Sequence, residues 1–279
     1  MTVIEQVTDA VCVHGEGVAI SPRWAEPRWV DMLAGDILEL VDGRVSRRHV
    51  GTVAALIRPR RSPGFVVATE LGIVLTDTDE LDAPIVLELD VLPAGGGVRM
   101  NEGECAPDGS LFLGSMAWDG APDRGALLRI NADLTVETVE AMVTISNGIA
   151  WDQARGVAYY VDTGTGHIDV IDSDPEGAWR ARRPFATLGA PDGICLDADG
   201  AVWVACYGGG EVRRYLPDGT LDTRLRLPTR FPTSVGLDGT ALYITTSRYP
   251  DQATGDDVAG ALLRAEVAVP GRPAAMFAG

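Results

Sequence analysis

The chain has 279 residues, 46% of them hydrophobic, with 33 glycines, 17 prolines and a formal net charge of −17. Phosphate binding needs a basic face, so nucleic acid is excluded as a partner, and the charge favours a neutral or cationic small molecule. No run approaches the apolar length of a membrane span, so no membrane partner is expected.

The opening segment MTVIEQVTDAVCVHGEG has no basic start and no long apolar run. It predicts a chain without a secretory leader, and therefore a cytoplasmic one. In that compartment Cys12, Cys105, Cys195 and Cys206, which show no CxxC spacing, are expected as reduced, buried thiols. The three histidines, His14, His49 and His167, are far apart and give no zinc-type cluster.

From Glu16 onward one pattern recurs six times. The copies are EGVAISPRWAEPRWVDM from Glu16, VAALIRPRRSPGFVVAT from Val53, NEGECAPDGSLFLGSM from Asn101, NGIAWDQARGVAYYVDT from Asn147, DGICLDADGAVWVACYG from Asp192 and TSVGLDGTALYITTS from Thr233. Each reads as strand, turn, strand. In the fifth, Ile194, Leu196, Val202 and Val204 are the apolar positions and Asp199-Gly200 is the turn. A third strand follows each hairpin: GDILELVDG, LGIVLTDTD, GALLRINAD, GHIDVIDSD, GEVRRYLPDG and GALLRAEV. A weaker fourth follows that: RVSRRHV, IVLELD, TVETVE, RRPFAT, TRLRLP and RPAAMFA.

Four short strands in about 45 residues is the size of a propeller blade. The expected fold is all-β, a six-bladed β-propeller with four antiparallel strands per blade around a central channel. Residues 1–279 are expected as a single domain, a monomer or weak dimer. The N-terminal VIEQVT segment is expected to close the ring as an outer strand on the last blade. Trp203, Tyr159, Tyr160 and Tyr243 fall on second strands and are expected to pack between blades.

The repeat places Glu16, Val53, Asn101, Asn147, Asp192 and Thr233 at equivalent positions, a ring at one end of the channel. Its chemistry is oxygen. Glu16, Asn147 and Asp192 offer two carboxylates and one amide oxygen, a set for a hard divalent cation with coordination sites left open for substrate. Asn-Gly and Asp-Gly are also common turn pairs, so each dipeptide alone reads as well as a turn. Three at equivalent positions favour the metal. Arg99, two residues before Asn101, should flank the same mouth; the bland alternative is a surface arginine after a Gly-rich loop. Asp119 reads as a solvated loop acid or as a group reaching inward.

These residues resemble the SMP-30/gluconolactonase/luciferin-regenerating family, over nearly the whole chain. The matching motifs are GEG at 15–17, RMNEG at 99–103, PDGSLFLGSM at 107–116, SNGIAWD at 146–152 and PDGICLDADGAVWVACYGGGEV at 191–212. The resemblance implies a six-bladed propeller that hydrolyses a sugar lactone with one divalent metal ion. Ca²⁺ heads the candidates, with Zn²⁺, Mn²⁺, Mg²⁺ and Fe²⁺ behind it. It implies Glu16, Asn147 and Asp192 as metal ligands, Arg99 and Asn101 as a substrate-binding pair, Asp119 as a sugar contact and Asp192 as general base. Many relatives read N-D-G-K-x-D-P where this chain has Glu102, Glu104 and Ala106 in place of the Asp, Lys and later Asp. The competing functions are hydrolysis of other esters or organophosphates at the same metal, and a non-catalytic metal- or sugar-binding regulator.

Overall fold

A computed structural model describes residues 2–174, 177–249 and 255–279. Among them are 24 strands in six four-stranded antiparallel sheets. The first blade is β2 (Gly15–Ala19), β3 (Arg28–Asp31), β4 (Asp36–Val41) and β5 (Arg44–His49). The second is β6 (Ala54–Pro59), β7 (Phe65–Thr69), β8 (Gly72–Thr76) and β9 (Ile85–Asp90). The third is β10 (Val98–Cys105), β11 (Leu111–Ala117), β12 (Gly125–Ile130) and β13 (Val136–Val143). The fourth is β14 (Ser146–Asp152), β15 (Val157–Asp162), β16 (His167–Ser173) and β17 (Trp179–Thr187). The fifth is β18 (Pro191–Leu196), β19 (Val202–Cys206), β20 (Glu211–Tyr215) and β21 (Leu221–Arg226). The sixth takes β22 (Pro232–Asp238), β23 (Ala241–Thr246) and β24 (Leu263–Glu266) from one end of the chain and β1 (Ile4–Gln6) from the other. The fold is the six-bladed all-β propeller that the repeat predicts. No helix among the described residues is long and apolar enough to cross a membrane.

Blades stand face to face, so the core is divided among the gaps between them. Val30, Leu56, Phe65, Val67 and Leu113 fill the space spanning the first three blades. Phe112, Leu127, Ile149 and Tyr160 join the third to the fourth. Val161, Ile168, Val202 and Val204 join the fourth to the fifth. Trp203, Leu225, Leu242 and Ile244 join the fifth to the sixth, and Trp29, Leu38 and Tyr243 close the circle. Trp203, Tyr159, Tyr160 and Tyr243 are all buried in these gaps, as second-strand aromatics should be.

Ring closure is made by the N-terminus. Ile4, Glu5 and Gln6 pair with Ala265, Arg264 and Leu263, and the Val7 amide donates to Leu262 O at 2.9 Å. The expected fourth strand RPAAMFA is therefore not one, because β1 already occupies that edge. The C-terminal residues instead cross the far end of the channel. The Gly271 amide donates to Gly239 O at 2.8 Å, and Arg272 NH1 pairs with Asp152 Oδ1 at 2.9 Å. Phe277, fully buried, exchanges backbone hydrogen bonds with Pro59 and Arg61, and the Ala278 amide donates to Gly109 O. One strap thus ties the sixth, fourth, second and third blades at the face opposite the ring of polar residues. Between strap and ring lies a cavity of about 500 Å³, walled by Val18, Ile149, Ile194 and Val235 and floored by Pro273 and Ala274.

Candidate active site at the channel mouth

The six innermost strands each carry a register irregularity near their start. It falls between Glu16 and Ala19, Ala54 and Leu56, Met100 and Gly103, Ser146 and Ile149, Pro191 and Ile194, and Pro232 and Val235. A bulge bends a strand and re-aims its side chains. Repeated six times, it places Glu16, Asn101, Asn147, Asp192 and Thr233 at matching positions around the mouth. In the second blade the pairing puts Ala55 there, because Ala54 pairs with Thr69 as Ser146 does with Asp162. Val53 lies two residues upstream of that position.

Inner strands crowd one another at this bend, which explains the glycines. A Cβ on Gly148 would sit 2.6 Å from the Ile194 amide nitrogen, and one on Gly193 would sit 2.8 Å from Ser234 Cα. Backbone occupies the space that a side chain would need. The incoming segments are pinned by acids at the ends of second strands. Asp31 accepts from the Val13 and His14 amides, and Asp162 from the Thr144 and Ile145 amides. Glu16 and Asn147 follow directly on those anchored turns. The Pro191 carbonyl accepts from Thr163 Oγ1 at 2.6 Å, which ties the approach to Asp192 to the neighbouring blade.

Asn147 is held from two sides. Its Nδ2 donates to Thr163 Oγ1 at 2.7 Å, and its Oδ1 accepts from Asn101 Nδ2 at 3.0 Å. The amide oxygen therefore faces the ring. Asn101 is a bridge: its Nδ2 also donates to Ser146 O at 2.8 Å, and its Oδ1 accepts from Arg99 NH1 at 2.7 Å. Arg99 is buried and donates further to Met100 O at 2.9 Å, while its Nε has no partner. Trp118 covers it, with the guanidinium carbon 5.2 Å from the ring centroid.

Glu16 and Asp192 are 2% and 6% exposed, and neither forms an ion pair with Arg or Lys among the described residues. Burial drives both carboxyls well above the usual carboxylate range. Asp192 and Glu102 raise Glu16 further, and Glu102 raises Asp192, against smaller relief from Arg99 and the Gly17 and Gly193 amides. Asp192 Oδ1 has no hydrogen-bond partner among the described residues. Two carboxylates that oppose each other, an orphaned oxygen and an amide oxygen turned inward are the donors a hard divalent cation requires. Among the described residues no three His, Cys, Asp or Glu side chains converge to hold a metal, so a site here depends on the Asn147 amide as its third protein ligand.

Three further residues shape the site. Glu102, below the ring, is buried with Oε2 unpartnered; burial pushes it up to about 7, Arg58 opposes this and Glu104 adds to it. Arg58 itself is engaged by Glu104 Oε2 at 3.0 Å and Gly103 O at 2.9 Å. Reversing the sign at position 104 thus supplies a partner for an arginine from the second blade. Ala106, the third departure, is fully buried beside Phe112 and Ile149. His14 places Nε2 3.7 Å from Glu16 Oε1, with Nδ1 2.7 Å from Ser247 Oγ. Burial and Arg99 depress it to about 3, so the ring is neutral at physiological pH. Sequence spacing gives His14 no cluster; its position two residues before Glu16 is the signal that could have found it.

Five of the predicted residues, Glu16, Arg99, Asn101, Asn147 and Asp192, come together at the mouth. Asp119 does not join them. It is exposed on the turn after β11, and its Oδ1 accepts from the Ala121 amide at 3.0 Å. The residue of that loop that meets Arg99 is Trp118.

Comparison with known proteins agrees with this architecture. A family model described as the SMP-30/gluconolactonase/LRE-like region matches residues 14–248. A 6-deoxy-6-sulfogluconolactonase from Pseudomonas putida is 33% identical, with 96% of each chain covered. A pentonolactonase from Haloferax volcanii is 32% identical, covering 97% of this chain and 96% of its own. Among solved structures, a luciferin-regenerating enzyme superposes with a TM-score of 0.90 at 26% identity, covering 99% of each chain.

Proposed function

Since the chain belongs to the SMP-30/gluconolactonase/LRE-like family, we propose that it is a divalent-metal-dependent hydrolase of a sugar lactone, working at the mouth of its channel. The observation that carries this reading is the pair Glu16 and Asp192, both buried and raised and without an Arg or Lys ion pair among the described residues, beside the inward-turned Asn147 oxygen. These three residues would hold the metal, with Ca²⁺ the first candidate on donor chemistry alone. When bound, a divalent cation polarises the lactone carbonyl as a Lewis acid.

The protein's own groups do the rest. Arg99, held at the mouth by Asn101 and the Met100 carbonyl, binds substrate oxygens and meets negative charge growing on the carbonyl. Asn101 holds Arg99 and Asn147 in register across two blades. Asp192 has two oxygens, so it can ligate with the unpartnered Oδ1 and accept a proton from the attacking water on the other. The water oxygen bonds to the carbonyl carbon and the acyl–oxygen bond of the ring breaks. The ring oxygen leaves with the proton that Asp192 took from the water, and the open-chain aldonic acid results and ionises to the aldonate.

The test is hydrolysis of a panel of aldonolactones by metal-stripped enzyme, with and without added Ca²⁺, Mn²⁺, Zn²⁺, Mg²⁺ or Fe²⁺. Turnover restored by a metal and abolished in Asp192→Ala supports the assignment. No turnover with any ion sinks it. Aryl esters and phosphotriesters in the same panel separate a lactonase from a broader hydrolase.

A further inference from the structure

Trp118 is a large apolar side chain at the mouth that neither offers a metal ligand nor transfers a proton. It is 47% exposed, while the guanidinium beside it is buried. Its placement is fixed on three sides. The Trp118 amide donates to Gly97 O at 3.0 Å, and Nε1 donates to Glu70 Oε1 at 3.2 Å. The ring lies over Arg99, and Glu70 is itself held by the Thr52 hydroxyl. A tryptophan that served only as packing would be buried; one that merely faced solvent would not be pinned by a carboxylate from the neighbouring blade.

The position in the ring adds to this. Trp118 follows β11 of the third blade, and Tyr249, 52% exposed, follows β23 of the sixth, three blades away in a ring of six. Both residues follow strand ends that pair with the starts of the innermost strands, at the face of Glu16 and Asp192. Tyr207 Oη donates to Tyr249 O at 2.8 Å and steadies that side. Aromatic walls on opposite sides of a polar floor suit a ring with hydroxyls on its edge and C–H groups on its faces.

We infer that Trp118 is a specificity-determining residue of the site, a fixed wall that takes the C–H face of the sugar-lactone ring while Arg99 engages its oxygens, and that Glu70 is a positioning residue for the indole. This rests on the lactonase reading. The substrate it selects is a cyclic polyhydroxy lactone with one face free of bulky substituents. An acyclic ester of equal reactivity gains nothing from the wall.

The experiment compares metal-loaded wild type with Trp118→Ala, Trp118→Leu, Trp118→Phe and Glu70→Gln on aldonolactones and on a simple aliphatic lactone. Trp118→Ala should raise KM for aldonolactones about tenfold and change kcat by less than about twofold. Trp118→Phe should recover most of that loss, Glu70→Gln should raise KM about threefold, and KM for the aliphatic lactone should move little. Calorimetric affinity for the aldonate product should fall in parallel, with metal affinity unchanged. Trp118→Leu keeps bulk without an aromatic face, so it decides the matter if the alanine variant does not fold. Unchanged KM in both the alanine and leucine variants overturns the inference, as does a fall confined to kcat and metal affinity. A wild-type protein that hydrolyses no lactone overturns the lactonase reading and the wall with it.

Discussion

Glu102 makes the metal-free protein lose stability as pH rises toward neutrality. Its carboxyl titrates near 4.5 in the unfolded chain and is pushed to about 7 by burial in the fold. Between those values the folded state holds a proton that the unfolded state has released. The contribution of Glu102 is therefore full below about pH 4.5, declines through pH 4.5–7 and is lost above. A shift of that size corresponds to about 3 kcal/mol. Glu16 and Asp192 are raised as well and add loss of the same sign. For a chain of 279 residues, 3 kcal/mol is a fall of about 5 °C in melting temperature. The assay is thermal unfolding of metal-stripped protein from pH 4.5 to 7.5, for wild type and Glu102→Gln. The variant should be flatter by about that amount, and saturating divalent cation should remove the part due to Glu16 and Asp192. Neutral His14, depressed to about 3, gains stability as pH rises toward 6.5 and works in the opposite sense. The readout is therefore the difference between wild type and Glu102→Gln, and a difference that does not change from pH 5 to 7 would refute the electrostatic picture of the mouth.

Other consequences are simpler. Gly148→Ala puts a methyl 2.6 Å from the Ile194 backbone nitrogen, so it should cost about 3 kcal/mol or more, read by denaturant unfolding. Phe277→Ala loosens the strap across the far end and should lower the melting temperature by about 5 °C without moving KM. Asp119→Ala should leave kcat and KM within about twofold of wild type, because its carboxylate caps its own turn.

The architecture was largely legible because the repeat itself is local. Hairpins announce themselves through alternating apolar residues, and in the third, fifth and sixth blades also through Asp-Gly turns, where Gly109, Gly200, Gly219 and Gly239 all take the positive φ such turns need. Where the pattern depends on distant partners it fails. RPAAMFA alternates like a strand, yet β1 from the other end of the chain holds its edge, and which segment wins is decided by ring closure. The offset from Val53 to Ala55 has a similar cause: the second blade has no polar or glycine residue to mark the bulge. Equivalence of Glu16, Asn147 and Asp192 was readable, since those positions keep both features. What they repel or bridge was not. The role of Asn101 as a link between Arg99 and Asn147, and the burial of Glu102 beneath Gly193, arise from neighbouring blades. Trp118 and Asp119 show the finest limit: adjacent residues on a turn point different ways, and spacing does not say which one meets Arg99.

The central claim is that Glu16, Asn147 and Asp192 hold one divalent cation. Isothermal titration of Ca²⁺, and then of Mn²⁺ and Zn²⁺, into metal-stripped wild type and Asp192→Ala addresses it directly. The account predicts a single site in the wild type for at least one of these ions, and its loss in the variant. Equal binding by both proteins, or no binding by either, would contradict it.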